Sequence, residues 1–314
     1  MKKFKILASV LVVLFILVEV FTLNQNKEEA VDKKPLVTVS SFFLYDITEH
    51  IAKNDVEIIN ILPFGVDPHS FEMTPSIMSK IEKSSLVFYS GAGLEPWVDK
   101  MTFKSKSIDM STHMKLRHLS SGEGKSHQHH HEDEHTVHNT LDPHYWLDFD
   151  NMKNATDVVT QELISLLPKN REIYLQHRDI YLKMLQKLDE NYSKKLKTCK
   201  VHHLILNHNS MGYLADRYNF HSESLSGLSP DAQPTPYDIK RILHEIEENS
   251  VNTIFFENFV NAKVIKTIAR DTGIKVEVIE SLGNITADEA KLHLSYEDLM
   301  YKNLEKLSKA LKCN

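Results

Sequence analysis

The chain has 314 residues, 41% of them hydrophobic and 25% charged, which are ordinary globular proportions and enough length for two domains. Its formal net charge of −6, with no basic patch interleaved with aromatics, argues against a nucleic-acid partner.

Lys2, Lys3 and Lys5 precede an apolar run over residues 6–18 that only Ser9 interrupts. That run is short for a bilayer span and reads as an export signal, so the body of the protein is expected to be exported. Apolar character resumes after Glu19 with Val20, Phe21 and Leu23, and no Ala-x-Ala site follows. Residues 1–23 are therefore expected to be a signal peptide or an uncleaved anchor, and no cysteine there supports a lipid anchor. Residues 24–34, charged and free of aromatics, read as a tether.

A βα rhythm follows. Strands are expected at residues 36–40, 56–62 and 86–89, with helices at 44–52, 77–83 and 95–101. The second half repeats the pattern, with strands at 201–206, 220–225, 253–256 and 275–279. Its helices are expected at 212–218, 237–248, 262–271 and 296–311. Between the halves, after Pro168, apolar residues recur at Ile173, Ile180, Met184, Leu188, Tyr192 and Leu196, with Tyr181 and Leu185 beside them. These spacings predict an unbroken helix of about 40 Å, long enough to be a rigid spine between two lobes. The expected fold is α/β: two lobes of mostly parallel sheet, residues 35–167 and 199–314, joined by the spine at 168–198.

Histidine is the chemical signal. Six of eighteen fall within one tract: His127, His129, His130, His131, His135 and His138, with Glu132, Asp133 and Glu134 among them. Imidazole is the commonest zinc ligand, and so polar a segment, following Ser120-Ser121-Gly122, reads as a metal-binding loop over residues 120–139. Three further histidines stand where strands should end: His69 and His144 in Pro-His turns, and His208 after residues 204–207. In open α/β sheets ligands bind beyond the carboxyl ends of strands, so these three are candidates for one crevice. Asp142 and Asp148 either orient His144 or cap its turn. Trp97 and Trp146 read as packing residues, at most one of His202 and His203 faces the cleft, and Glu257 is a further strand-end acid. Cys199 and Cys313 form either one disulfide or two separate thiols. A bond between them is the expectation tested below.

The motifs Gly65-Val-Asp-Pro-His-Ser-Phe-Glu72, Gly91-Ala-Gly-Leu-Glu-Pro-Trp97, Asp142-Pro-His-Tyr-Trp-Leu-Asp148, His208-Asn-Ser-Met-Gly-Tyr-Leu-Ala215 and Gly227-Leu-Ser-Pro-Asp-Ala-Gln-Pro234, with the His-rich loop, occur in that order. In this the chain resembles the zinc-specific solute-binding proteins of bacterial ABC transporters (ZnuA type), a group that also includes manganese binders. The resemblance implies a periplasmic, monomeric protein that delivers Zn2+ to an inner-membrane ABC permease. It implies metal ligation by His69, His144 and His208, with Glu280 in Val278-Ile-Glu-Ser-Leu-Gly283 as fourth ligand. Some zinc members use a glutamate before the first histidine, but Pro68 occupies that position here. Manganese members replace the third histidine with glutamate, so His208 favours zinc over manganese.

The competing class is a zinc hydrolase, which keeps an open coordination position for water. No His-Glu-x-x-His helix occurs, no second acid stands out as a base, and Ser210 is not in a nucleophile elbow, so no enzyme activity is expected. A third reading is metal buffering or surface adhesion through the histidine tract alone.

Overall fold

The computed structural model describes residues 34–119, 141–226, 234–258 and 263–314. The N-terminal signal and nearly all of the tether, the histidine tract and most of the motif at residues 227–234 lie outside them. From Leu36 to Asn314 the chain forms one compact unit.

Two four-stranded parallel sheets organise this unit. The first has the order β2 (Glu57–Asn60), β1 (Leu36–Val39), β3 (Leu86–Tyr89), β4 (Lys106–Asp109). In the second the order is β8 (His221–Ser224), β7 (His203–Leu206), β9 (Thr253–Phe256), β10 (Lys275–Val278). Each sheet therefore runs second, first, third, fourth. A short antiparallel ladder of β5 (Arg117–His118) and β6 (Leu141–Asp142) stands apart.

Helices cover the sheets: α1 (Phe42–Ala52), α2 (Pro75–Glu82), α3 (Phe149–Leu166), α4 (Arg171–Leu196), α5 (Gly212–Tyr218), α6 (Pro236–Glu248), α7 (Lys263–Thr272), α8 (Ala287–Lys291) and α9 (Tyr296–Ala310). Their starts are written in the sequence. Thr235 and Ser295 form reciprocal capping boxes with Asp238 and Asp298, and Pro236 occupies the first turn of α6. Among the described residues no helix is long and apolar enough to cross a membrane.

The spine is α4, 26 residues long, packed against α1, α3 and α9. Its buried stripe is Tyr174, Tyr181, Leu185, Leu188, Tyr192 and Leu196, whereas Ile173 and Ile180 are 42% and 66% exposed. The stripe thus starts one residue later than expected. Tyrosines win these positions because their hydroxyls find anchors: Tyr181 on Asp46 Oδ2 at 2.6 Å and Tyr192 on the Met300 carbonyl at 2.6 Å.

Three further expectations need correction. Residues 95–101 form only a turn at Val98–Lys100, because the buried Glu95 carboxylate accepts from the Ser90 and Gly91 amides and Pro96 disfavours helix before it. The 18-residue α3, a full element, was not expected, and neither was β4. The buried face of α3 includes Ala155, Thr156 and Thr160, which dilute the apolar period, and the threonine hydroxyls bond back to carbonyls one turn earlier.

The Cys199–Cys313 disulfide is present, with Cα atoms 3.7 Å apart. It joins the segment after α4 to the end of α9, where Lys200 and Val201 also donate to the Leu311 carbonyl.

Candidate metal centre

Three loops at carboxyl ends of strands carry the histidines to one place. The first leaves β2 and turns at Gly65, whose φ of +79° suits a residue without Cβ. It is clamped from the other half of the chain. Gly65 N–H donates to the Ile285 carbonyl at 2.9 Å, and the Asn284 amide donates to the carbonyls of Pro63 and Val66. Asp67 Oδ1 then accepts from the His69 N–H at 2.7 Å, fixing the Pro-His turn.

The second loop follows β6. Asp142 Oδ1 accepts from the His144 backbone at 3.0 Å and lies 2.8 Å from its Nδ1. Asp142 is fully buried, and its carbonyl accepts the Tyr213 hydroxyl at 2.8 Å. Trp146, two residues on, stacks on Phe43 and donates to the Ser281 carbonyl at 2.7 Å. Gly283 follows; a Cβ there would stand 3.2 Å from Trp146 and 3.5 Å from Pro68. The strand-end segment carrying Glu280 is therefore packed tightly against both other loops.

The third loop extends β7. Asn207 bridges it to the neighbouring strand, its N–H donating to the Phe255 carbonyl and its Oδ1 accepting from Glu257 N–H at 3.1 Å. His208 follows, 1% exposed.

His144 Nε2 lies 3.3 Å from His69 Nε2 and 3.3 Å from His208 Nε2. Among the described residues, this trio is the group of metal-ligating side chains whose donor atoms lie within 4.8 Å of one another. Burial, and then His144, pulls His69 down to about 3, and burial takes His208 well below its ordinary value. Neutral rings are what a metal requires, since a protonated imidazole offers it no lone pair.

Carboxylates surround the trio. Glu257 Oε1 accepts the Ser210 hydroxyl at 2.7 Å and lies 3.0 Å from His208 Nδ1. Burial pushes it up to about 7, against the lowering effect of the Ser210 hydroxyl. Glu280, 9% exposed, is not in the 4.8 Å group. Its carboxylate accepts from Asn258 Nδ2 at 2.9 Å and pairs with Lys306 at 3.2 Å, and burial and then Glu289 raise its pKa while Lys306 opposes them. Asp148 is committed elsewhere: it caps α3 through Asn151 N–H and pairs with Arg217 at 3.1 Å. His202 is exposed, and His203 packs on His221 at the far end of β7 from His208, so neither joins the trio. Trp97 is buried in a separate apolar cluster. The six tract histidines lie outside the described residues.

The residue that sequence reasoning underrated is Glu257. Its only signal was an acid directly after the strand at residues 253–256, while its partner His208 is remote in sequence.

Comparison with known proteins gives the family. The high-affinity zinc uptake system protein ZnuA of Bacillus subtilis is 28% identical over 294 residues, covering 92% of each chain. The zinc-binding protein AdcA of Streptococcus pyogenes serotype M3 is 28% identical over 319 residues; the match takes in 98% of this chain but only 61% of that relative's length. The crystal structure of the Zn(II)-bound ZnuA-like domain of Streptococcus pneumoniae AdcA superposes with a TM-score of 0.72, covering 88% of this chain and 99% of that one. At 24% identity that likeness establishes a shared fold. The family described as zinc-uptake complex component A, periplasmic (ZnuA), matches residues 37–310, and the chain belongs to it.

Proposed function

We propose that this protein captures Zn2+ in the periplasm and delivers it to an inner-membrane ABC permease. His69, His144 and His208 are its ligands. The observation that carries this reading is the 3.3 Å spacing of the ring nitrogens. Two nitrogens bound at about 2.0–2.1 Å to one tetrahedral zinc stand roughly 3.3–3.4 Å apart, so His144 is already spaced for the ion from both of its partners, and His69 and His208 lie within 4.8 Å of each other. Three neutral nitrogens suit zinc better than manganese, which prefers oxygen.

Glu280 is the fourth ligand in this reading. It must leave Asn258 and Lys306 to reach the ion, so it exchanges with water and is the ligand most readily lost on release. The two separate sheets support a division into lobes at residues 35–167 and 199–314, with residues 168–198 as the spine. Residues 1–23 direct export, the protein acts as a monomer, and the histidine tract adds weaker metal sites. No catalytic role is assigned: among the described residues the acids near the trio are already engaged, Glu257 with Ser210 and His208 and Glu280 with Asn258 and Lys306.

Metal analysis of the purified full chain, followed by competition between zinc and manganese, tests the reading. One tightly held zinc that equimolar manganese cannot displace is expected. Preferential retention of manganese, or no tight metal at all, would overturn it.

A further inference from the structure

We propose that Glu257 is a positioning residue for His208, holding the ring's Nδ1–H so that Nε2 turns its lone pair to the zinc site. This rests on the zinc-capture reading and adds to it a residue outside the ligand set.

The geometry is specific. A neutral imidazole carries one N–H, and the nitrogen facing a carboxylate is the one that keeps it. Glu257 Oε1 lies 3.0 Å from His208 Nδ1, and the Nε2 of the same ring is the atom 3.3 Å from His144. The carboxylate is itself fixed. Ser210 Oγ donates to the same oxygen at 2.7 Å, and the Glu257 backbone N–H is held by Asn207 Oδ1 at 3.1 Å. Glu257 is 2% exposed and His208 1%, so water does not compete for the contact; the other polar neighbour of Nδ1, the Asn207 amide nitrogen, is farther away at 3.4 Å.

His144 has the same arrangement independently, with Asp142 Oδ1 2.8 Å from its Nδ1. Two of the three rings are thus aimed by buried carboxylates arriving from different loops. Such partners fix ring orientation and raise ligand basicity, and their loss typically costs 10–100-fold in metal affinity. The competing explanation is a carboxylate that merely fills buried space. It would affect stability and leave the ring's tautomer untouched.

The experiment compares the full chain with Glu257→Gln, which keeps an oxygen acceptor without the charge, and with Glu257→Leu, which removes both. Zinc affinity is read by competition with a chromophoric chelator, and the tautomer of His208 from its ring 15N shifts in metal-free protein. Glu257→Leu is expected to weaken zinc by roughly 10–100-fold and Glu257→Gln by less. The wild-type His208 ring should show a single Nδ1–H tautomer that becomes mixed in the leucine variant. Unchanged zinc affinity in Glu257→Leu, or an unchanged tautomer, overturns the proposal. Should Glu257→Leu fail to fold, Glu257→Gln decides: affinity equal to wild type overturns the proposal. If wild-type protein binds no zinc, the capture reading fails, while the metal-free tautomer still decides the role of Glu257.

Discussion

The two sheets share one strand order, and each buries a carboxylate where its first and third strands end, yet the two carboxylates have different partners. In the N-terminal sheet Glu95 accepts from Ser40 Oγ at 2.5 Å and from the amides of Ser90 and Gly91 at 2.8 and 2.9 Å. In the C-terminal sheet Glu257 accepts from Ser210 Oγ and faces His208 Nδ1. Amide and hydroxyl donors end the chain of contacts, so Glu95 ties loops together. An imidazole has a second nitrogen on its far side, so the hold of Glu257 extends to the cleft. The same buried group is scaffolding in one half and part of the metal site in the other because of what donates to it.

This contrast can be broken most forcefully at the ligands. His144→Ala or His208→Ala is expected to weaken zinc binding beyond the roughly 100-fold that loss of an outer partner produces. Chelator competition measures it, and near-native affinity in either variant would dissolve the distinction between the halves. The C-terminal half also carries a covalent tie, the disulfide spanning 114 residues of sequence. Reducing it should cost about 4–5 kcal/mol in the chain-entropy model, read as a lower melting temperature. No change in melting would mean that the hydrogen bonds to Leu311 suffice.

Variants at Glu95 sharpen the comparison. Glu95→Leu strands two amides and a hydroxyl, at about 1–3 kcal/mol for each donor left without a partner, and should leave zinc affinity at the wild-type value. Burial also raises the Glu95 carboxyl above its ordinary 4.5. The folded state then takes up a proton before the unfolded state does, so this group's contribution falls as pH rises through the folded value. Glu95→Gln, which mimics the protonated form, should therefore gain stability relative to wild type as pH rises from the ordinary 4.5 through the raised folded value. A constant difference in melting temperature across that range would contradict the assignment.

The sequence made the trio legible because each histidine follows a strand in a short turn, two of them after proline, and local order alone predicts that strand ends converge. The doubly repeated βα pattern was legible for the same reason, since the short, nearly continuous apolar runs of buried parallel strands are local. What was not legible depends on contacts distant in sequence. Glu257 gains its meaning from Ser210 and His208 on another strand's loop. The spine's face was misread at Ile173 and Ile180 because apolar spacing cannot reveal that Asp46 and Met300 await tyrosine hydroxyls. Helix α3 was missed because alanine and threonine, buried only through tertiary packing, do not read as an apolar stripe.

Anomalous diffraction at the zinc edge from zinc-loaded crystals of the full chain tests the central claim most directly. The account predicts one strong peak about 2.0–2.1 Å from Nε2 of His69, His144 and His208 alike. A tightly held zinc located elsewhere, with no peak between these three rings, would contradict it.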